Sequence, residues 1–222
     1  MTQKGKIKTW GPNNAYSISH LKGRYGTPLD HHAGTLAKEK NRGRSDGSDE
    51  KDETEQSGKG TRPKTKKTTR TRGNNTNEIE YDAETGRPIR AKGVLKEDFG
   101  SSKRGDNATK IGKLGDPGDQ GGHLAGHRFM GDTPDEGIAP QAGNLNQGAW
   151  KTMENEWADW IKKGYQVEYD IKVIPPGAVR PDAFDVSYKV VDPKTGKMRY
   201  KDKPSFENEA GETFDRIYFR DM

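Results

Sequence analysis

The sequence predicts an α+β domain with an antiparallel sheet and one long helix. Residues 147–163 repeat apolar side chains at spacings of three and four, which is typical of an amphipathic helix. Residues 165–174 and 184–192 alternate apolar and polar side chains, as half-buried antiparallel strands do. Because these strands follow one another without a helix between them, the sheet they form is expected to be antiparallel.

Composition divides the chain into three parts. Between Lys38 and Glu78 there is no Ala, Val, Ile, Leu, Met, Phe, Trp or Tyr, so this segment has no apolar surface to offset the entropy of ordering it. We predict a disordered charged linker over residues 38–78, preceded by a short segment, 1–37, and followed by a folded domain, 79–222. Residues 1–37 are too few for a core of their own and are predicted to dock on the domain or to bind a secretion carrier or chaperone.

Charge and composition exclude several classes of protein. The chain has no cysteine, which excludes disulfides and thiolate metal sites, and it has no apolar run long enough to span a membrane. No apolar stretch follows the basic N-terminus, so we expect no secretory signal peptide. Residues 59–72 carry seven basic side chains and no acidic one. Either they form a basic arm that contacts phosphates or they are a solvated spacer.

The remaining elements follow in chain order. Residues 79–95 predict a hairpin with a turn at Ala83–Gly86, where glycine permits a positive φ. Residues 100–122 are glycine-rich and predicted to be irregular, and residues 123–131 resemble a short apolar strand. Asn146 is a good helix N-cap and Gly164 a good helix stop. A turn is predicted at 193–196, and weaker strands are predicted at 197–202 and 212–221.

Two segments, 118–131 and 144–157, carry the residues suited to chemistry. Glycines flank His123, which would let an imidazole point into an open groove, and Glu154 lies eight residues after Asn146 on the predicted helix. This separation is about 12 Å of helical rise, so both can line one side of the helix. Alone, each has a plainer interpretation: a surface histidine, a helix cap and a solvated carboxylate.

Together the two segments resemble the DNA/RNA non-specific endonuclease family, which has the ββα-metal (His-metal finger) fold, and most of all its bacterial toxin branch. The resemblance is carried by Gln120-Gly121-Gly122-His123 and by Leu145-Asn146-Gln147-Gly148-Ala149-Trp150 with Met153-Glu154. It covers roughly residues 79–192. The fold it implies is a ββα-metal core with an antiparallel sheet and one long helix.

The resemblance also implies roles for individual residues. His123 would be the general base, Asn146 the direct protein ligand to Mg²⁺ or Mn²⁺, and Glu154 the holder of a metal-bound water. Two positions depart from the family pattern: Gly121 stands where many members have arginine, and Gly137 where many have asparagine. We therefore expect transition-state charge to be met elsewhere. The candidates for this and for substrate binding are Arg128, Arg87, Arg90, Asn144 and Gln147.

The function implied is a metal-dependent endonuclease that hydrolyses DNA and possibly RNA. The resemblance also suggests that the chain is the toxin of an antibacterial effector. Such a toxin would be secreted without a signal peptide and would act in the target-cell cytoplasm. A cognate immunity protein would block it in the producing cell. If the chain is not a secreted effector, we expect a cytoplasmic nuclease. In either case we expect no membrane partner. The alternative is a non-catalytic nucleic-acid-binding or protein-binding module on a degenerate nuclease fold.

Overall fold

The computed structural model describes residues 64–222. The predicted segment 1–37 and residues 38–63 of the predicted linker lie outside this range. The strands are β1 (Thr65–Arg72), β2 (Asn75–Asp82), β3 (Pro88–Leu95), β4 (Asp119–His123), β5 (Ile138–Ala142), β6 (Gln166–Ile174), β7 (Ala183–Val191), β8 (Met198–Asp202) and β9 (Ser205–Glu207). The helices are α1 (Ala108–Gly112), α2 (His127–Met130), α3 (Gly143–Leu145) and α4 (Lys151–Lys162).

Seven strands form one antiparallel sheet in the order β1-β2-β3-β6-β7-β8, with β9 paired to β7. The other two strands, β4 and β5, form a separate antiparallel hairpin. The predicted turn after β2 is confirmed, with Gly86 at φ +67°, and so are the strands predicted around 165–174, 184–192 and 197–202. The predicted α+β class is therefore confirmed.

One continuous helical segment, from Gly143 to Lys162, packs on a single face of the large sheet. It consists of α3, a π-helical turn at Asn146–Trp150, and α4. Trp157 is fully buried and packs on Tyr169 of β6 and Tyr188 of β7, with ring centroids 5.7 and 5.4 Å away. We call this the inner face of the sheet. The predicted apolar helix face thus forms the centre of the core.

The predicted boundary of the folded domain at residue 79 is wrong, because residues 65–72 and 75–82 are paired strands. Hydrogen bonds, rather than apolar burial, order this segment. The Asn75 amide nitrogen donates to the carbonyls of Glu97 and Phe129, and its oxygen accepts from the N–H groups of Lys96 and Glu97. Polar groups make these bonds, so the absence of apolar side chains between residues 38 and 78 gives no sign of them.

Three local predictions also need correction. Asn146 is not an N-cap, since it has helical φ and ψ of −59° and −43° and three helical residues precede it. Residues 123–131 are not a strand, because β4 ends at His123 and α2 follows. Residues 212–221 form no strand, only a 3-10 turn at Phe219–Asp221. The helix stop at Gly164 is confirmed by its φ of +90°.

Among residues 64–222 no helix is both long and apolar enough to cross a membrane.

Candidate active site

The hairpin β4–β5 leads directly into the long helix and forms the expected ββα unit. His123 is the last residue of β4 and lies opposite Ile138, the first residue of β5. β5 ends at Ala142 and the helix begins at Gly143. The two segments singled out in the sequence are therefore adjacent parts of one structural unit.

The glycines before His123 are required by close packing on both sides of β4. A Cβ at position 121 would lie 1.9 Å from the Ala108 carbonyl oxygen, and one at position 122 would lie 2.0 Å from Gln141 Oε1. Helix α1 therefore leaves no room for the arginine that many relatives have at position 121. Similarly, a Cβ at Gly137 would lie 2.4 Å from Thr133 Cγ2, so an asparagine does not fit there.

His123 is buried and held by a buried carboxylate. Its Nε2 lies 2.7 Å from Asp106 Oδ2, and the two side chains are 3% and 4% exposed. Asp106 is fixed in turn by the backbone N–H groups of Thr133 and Ala108, at 3.1 and 3.3 Å. An ionised carboxylate only accepts hydrogen bonds, so the proton of neutral His123 belongs on Nε2 and its Nδ1 keeps a lone pair.

Burial lowers the pKa of His123, while the Asp106 carboxylate acts in the opposite direction and the charge of Arg104 lowers it further. Burial alone would raise the pKa of Asp106, but the bonds from His123 and from the backbone hold it below its usual value. His123 is therefore neutral and Asp106 ionised near pH 7. Both protonation states suit a histidine that accepts a proton through Nδ1.

Asp106 was not predicted from the sequence. It lies 17 residues before His123 in the segment expected to be irregular, and no motif spacing connects the two. Arg104, two residues earlier, was also missed. Its side chain is exposed, and its charge acts on both His123 and Glu154. Only the folded loop between β3 and α1 brings these residues to the end of β4.

Asn146 lies in the π-helical turn beside β4. Its Nδ2 donates to Gln120 Oε1 at 2.8 Å, and Gln147 donates to the same oxygen at 2.9 Å. No described residue donates to Asn146 Oδ1, so this oxygen is the one suited to bind a cation. Gln147 is exposed on the same turn, and Asn144 is exposed in α3, just before it.

Glu154 extends from α4 to the turn that follows His123. A Cβ at Gly126 would lie 2.4 Å from Glu154 Oε1, so the carboxylate packs directly against this glycine. Burial raises the pKa of Glu154 to about 7, against the opposing charge of Arg128. The helix therefore presents Asn146 near one end of β4 and Glu154 near the turn at its other end.

Of the arginines predicted as charge-stabilising or substrate-binding, Arg128 acts on Glu154 through its charge, but its guanidinium is already bound by other side chains. Arg128 donates through Nε and Nη2 to Asp98 and through Nη1 to Asn155, which uses all three guanidinium nitrogens. Arg90 pairs with Asp170 across the outer face of the sheet. Arg87 is only 7% exposed, in the hairpin turn. The structure does not bring Arg87 or Arg90 to His123.

A second set of possible metal donors lies beside His123. One ligand atom each from Asp106, His127 and Asp132 lie within 4.8 Å of one another. The His127 ring is 5.5 Å from that of His123, and its Nε2 is 3.1 Å from Asp132 Oδ1. Sequence reasoning did not select His127 or Asp132. The active-site region thus contains two sets of side chains that could hold a divalent ion.

The fold and this site define a metal-dependent nuclease with a ββα core. The chain belongs to the DNA/RNA non-specific endonuclease family, whose model matches residues 63–192. This match extends to the start of β1, as the structure does. It confirms the family suggested by the sequence motifs, and with it an endonuclease that acts on nucleic acid.

The chain is similar in fold to solved structures that include two of NucA from Streptococcus agalactiae. The magnesium-bound crystal structure of NucA from Streptococcus agalactiae is 14% identical, with a TM-score of 0.49, and the match covers 66% of this chain and 76% of that one. The metal-free structure of the same protein is also 14% identical, with a TM-score of 0.46, and the match covers 63% and 73%.

Proposed function

We propose that this chain hydrolyses phosphodiester bonds of DNA, with RNA as a second candidate substrate. His123 would be the general base, Asn146 the direct ligand of a Mg²⁺ ion, and Glu154 the holder of a water bound to that ion. The observation that carries the proposal is the buried pair of His123 and Asp106, 2.7 Å apart. This pair fixes the tautomer and orientation of an imidazole whose other nitrogen can take a proton from water. A module that only binds nucleic acid has no need of such a pair.

His123 acts by removing the proton from the attacking water through Nδ1. Its lowered pKa keeps it unprotonated at neutral pH. Asp106 keeps the proton on Nε2 and stabilises the imidazolium that forms after proton transfer. This arrangement follows the general logic by which a buried carboxylate orients a catalytic histidine.

The donor chemistry around Asn146 and Glu154 fits a hard cation. Both offer oxygen atoms, which Mg²⁺ prefers, and Mn²⁺ fits the same donors. The alternative set is less suitable, because Asp106 already accepts bonds from His123, Thr133 and Ala108. When bound, the metal supplies positive charge to the phosphate and to the leaving oxygen.

Arg104 is the candidate for stabilising transition-state charge in place of an arginine at position 121. Arg104 is exposed, and its charge acts on both His123 and Glu154. The charge of Arg128 also acts on Glu154, but its guanidinium is bound to Asp98 and Asn155. Arginine suits this role because its planar guanidinium can bind two phosphate oxygens at once.

The first test is cleavage of plasmid DNA and of RNA with Mg²⁺, with Mn²⁺ and with chelator. We expect cleavage only when metal is present, and a loss of about 10²- to 10⁴-fold in His123→Ala, the usual contribution of a general base. Asn146→Ala should require a higher Mg²⁺ concentration for half-maximal rate.

His127→Ala distinguishes the two metal donor sets. If the proposal is right, His127→Ala changes the Mg²⁺ requirement less than Asn146→Ala does. If His127→Ala raises the Mg²⁺ requirement more than Asn146→Ala does, the ion binds at Asp106, His127 and Asp132 instead. Wild-type protein that binds DNA but never cleaves it would establish the binding-module alternative instead.

We further propose that the chain is the toxin part of an antibacterial effector. It would be secreted, with residues 1–37 contacting a carrier or chaperone, and would act in the target-cell cytoplasm. The support is the resemblance of its motifs to the toxin branch. Expression in a bacterial cytoplasm should degrade nucleic acid and stop growth in wild type but not in His123→Ala.

A cognate immunity protein is the partner that this role requires. It would occlude the His123 site, because blocking the site protects the producing cell. Co-expression with genes neighbouring the one that encodes this chain should restore growth if one of them encodes the inhibitor. Cells that grow normally while making wild-type enzyme that is active in vitro would argue against a toxin.

A further inference from the structure

Strand β1 carries basic side chains on both of its faces, and the two faces differ in how that charge is paired. On the outer face of the sheet, Lys67 lies 2.8 Å from Glu80 and 3.3 Å from Glu78. Lys92 of β3 lies 3.2 Å from Glu78 on the same face. The outer-face lysines are thus neutralised by carboxylates of the neighbouring strand.

On the inner face of β1, by contrast, two basic side chains have no carboxylate partner among the described residues. Lys66, Arg70 and Arg72 alternate with Lys67 along the strand and therefore share the other face. Register confirms this, because Arg70 lies opposite Asn77 and Arg72 opposite Asn75, both buried on the inner side. Lys66 and Arg70 are exposed and form no ion pair with any residue between 64 and 222.

This basic face leads to the candidate active site. Arg72 Nη1 donates to the His127 carbonyl oxygen at 3.1 Å, and the His127 ring is 5.5 Å from that of His123. From Arg72 the strand runs outward through Arg70 to Lys66, a distance of about 20 Å at about 3.3 Å per residue. The paired charges lie on one side of β1, and the unpaired ones lie on the side that reaches the site.

No carboxylate among residues 64–222 lies within ion-pair distance of Lys66 or Arg70. Asp132 accepts bonds from the Gly105 N–H and from His127, and Asp135 accepts one from Asn107. None of them forms an ion pair with Lys66 or Arg70. The exposed positive charge of Lys66 and Arg70 therefore remains available to an external polyanion.

We propose that the inner face of β1, comprising Lys66, Arg70 and Arg72, binds the phosphate backbone of the nucleic-acid substrate on one side of the scissile bond. This rests on the proposed function and adds a substrate-binding surface to it. The contacts are to phosphates rather than bases, so they raise affinity without sequence preference. Thr68 lies between Lys66 and Arg70 on the same face, and its hydroxyl can also donate to a phosphate oxygen.

The test compares two double variants that each remove two positive charges from the same sheet. Lys66→Ala/Arg70→Ala removes the inner-face charges, and Lys67→Ala/Lys92→Ala removes the paired outer-face charges. Binding of a labelled duplex is measured against NaCl concentration in a His123→Ala background, which prevents cleavage. Cleavage kinetics are measured in the otherwise native chain, and thermal unfolding checks that each variant folds.

For the inner-face variant we expect about tenfold weaker binding at 0.15 M salt. The slope of log K against log salt should fall by about 1–2, as loss of two phosphate contacts requires. The loss in kcat/KM should come from a raised KM. The outer-face variant should match the parent in both assays. Equal losses in the two variants, or an unchanged slope in the inner-face variant, would overturn the proposal.

The outcomes also separate this proposal from the proposed function. Metal-dependent cleavage that is indifferent to Lys66 and Arg70 leaves the nuclease in place and removes the phosphate-binding surface. Salt-dependent binding that requires Lys66 and Arg70, in a chain that never cleaves, keeps the surface and removes the nuclease.

Discussion

At the scale of single residues, the candidate base depends on a carboxylate from a separate loop. His123 Nε2 bonds Asp106, and both side chains are almost completely buried. Removing the partner of a buried hydrogen bond costs more than the bond itself contributes, because the remaining group stays desolvated and unpaired. Asp106 is therefore a positioning residue whose effect should be seen in the rate and in its pH dependence.

Asp106→Asn tests this role. Without the negative charge of Asp106 the pKa of His123 should fall further, since Asp106 is the group that raises it. The acidic limb of the kcat/KM profile should then move to lower pH, and kcat should fall on the order of 10²-fold because the imidazole is a weaker and poorly oriented base. A profile that loses height but keeps its acidic limb would indicate a purely structural role.

Local packing also explains why the residue that stabilises transition-state charge could not be assigned from the motif. The position that many relatives fill with arginine is packed against α1, where even a Cβ would collide with the Ala108 backbone. Arg128 is nearest in sequence but is bound by Asp98 and Asn155. Arg104→Ala should therefore lower kcat more than Arg128→Ala lowers it, when both are measured at saturating Mg²⁺ with variants of confirmed fold.

At the scale of elements, α4 and the turn after β4 meet through one glycine. Gly126 has φ of −50°, so an alanine there is not strained by its backbone. Its Cβ would instead lie 2.4 Å from Glu154 Oε1, at the flexible end of a side chain that can move. The contact is therefore a way to displace Glu154 without disrupting the fold.

Gly126→Ala should lower activity at least tenfold while changing the melting temperature little, since only the carboxylate must move. Gly148→Ala is the matched control, because nothing lies within 4 Å of its added Cβ. Alanine in a helix is favoured over glycine by about 0.5–1 kcal/mol, so Gly148→Ala should be at least as stable as the parent. Full activity in a folded Gly126→Ala variant would show that the position of Glu154 is unimportant.

At the scale of the whole molecule, a few aromatic side chains join the catalytic helix to the large sheet. Trp157 is fully buried and packs on Tyr169, Tyr188 and Phe129. The helix that carries Asn146 and Glu154 is thereby held at a fixed height above the sheet. Stability and site geometry depend on the same contacts.

Trp157→Ala should lower the free energy of unfolding by about 3–5 kcal/mol, the usual cost of removing a large buried aromatic side chain. Denaturant unfolding of this variant and of Trp157→Phe measures the effect, with the phenylalanine variant expected to lose less because it leaves a smaller cavity. A loss under 1 kcal/mol in Trp157→Ala would contradict the packing described.

The sequence determined the features that depend on local periodicity. Alternating residues in β6 and β7, the apolar face of α4 and the positive φ of Gly86 and Gly164 follow from rules that involve near neighbours along the chain. The motifs around His123 and Asn146 also identified the family correctly, because both segments lie within one hairpin and helix. The roles of these residues stay predictions until they are measured.

Only the tertiary structure decided which distant residues complete the site and where the domain begins. Asp106 and Arg104 reach the site through an irregular loop whose path has no sequence period. Strands β1 and β2 are ordered by cross-strand pairing and by buried Asn75 bonds, and composition gives no sign of either. Arg90 lies away from the site because the pleat of β3 places its side chain on the outer face of the sheet. These outcomes depend on long-range hydrogen bonds and packing, which form between residues that the sequence does not place together.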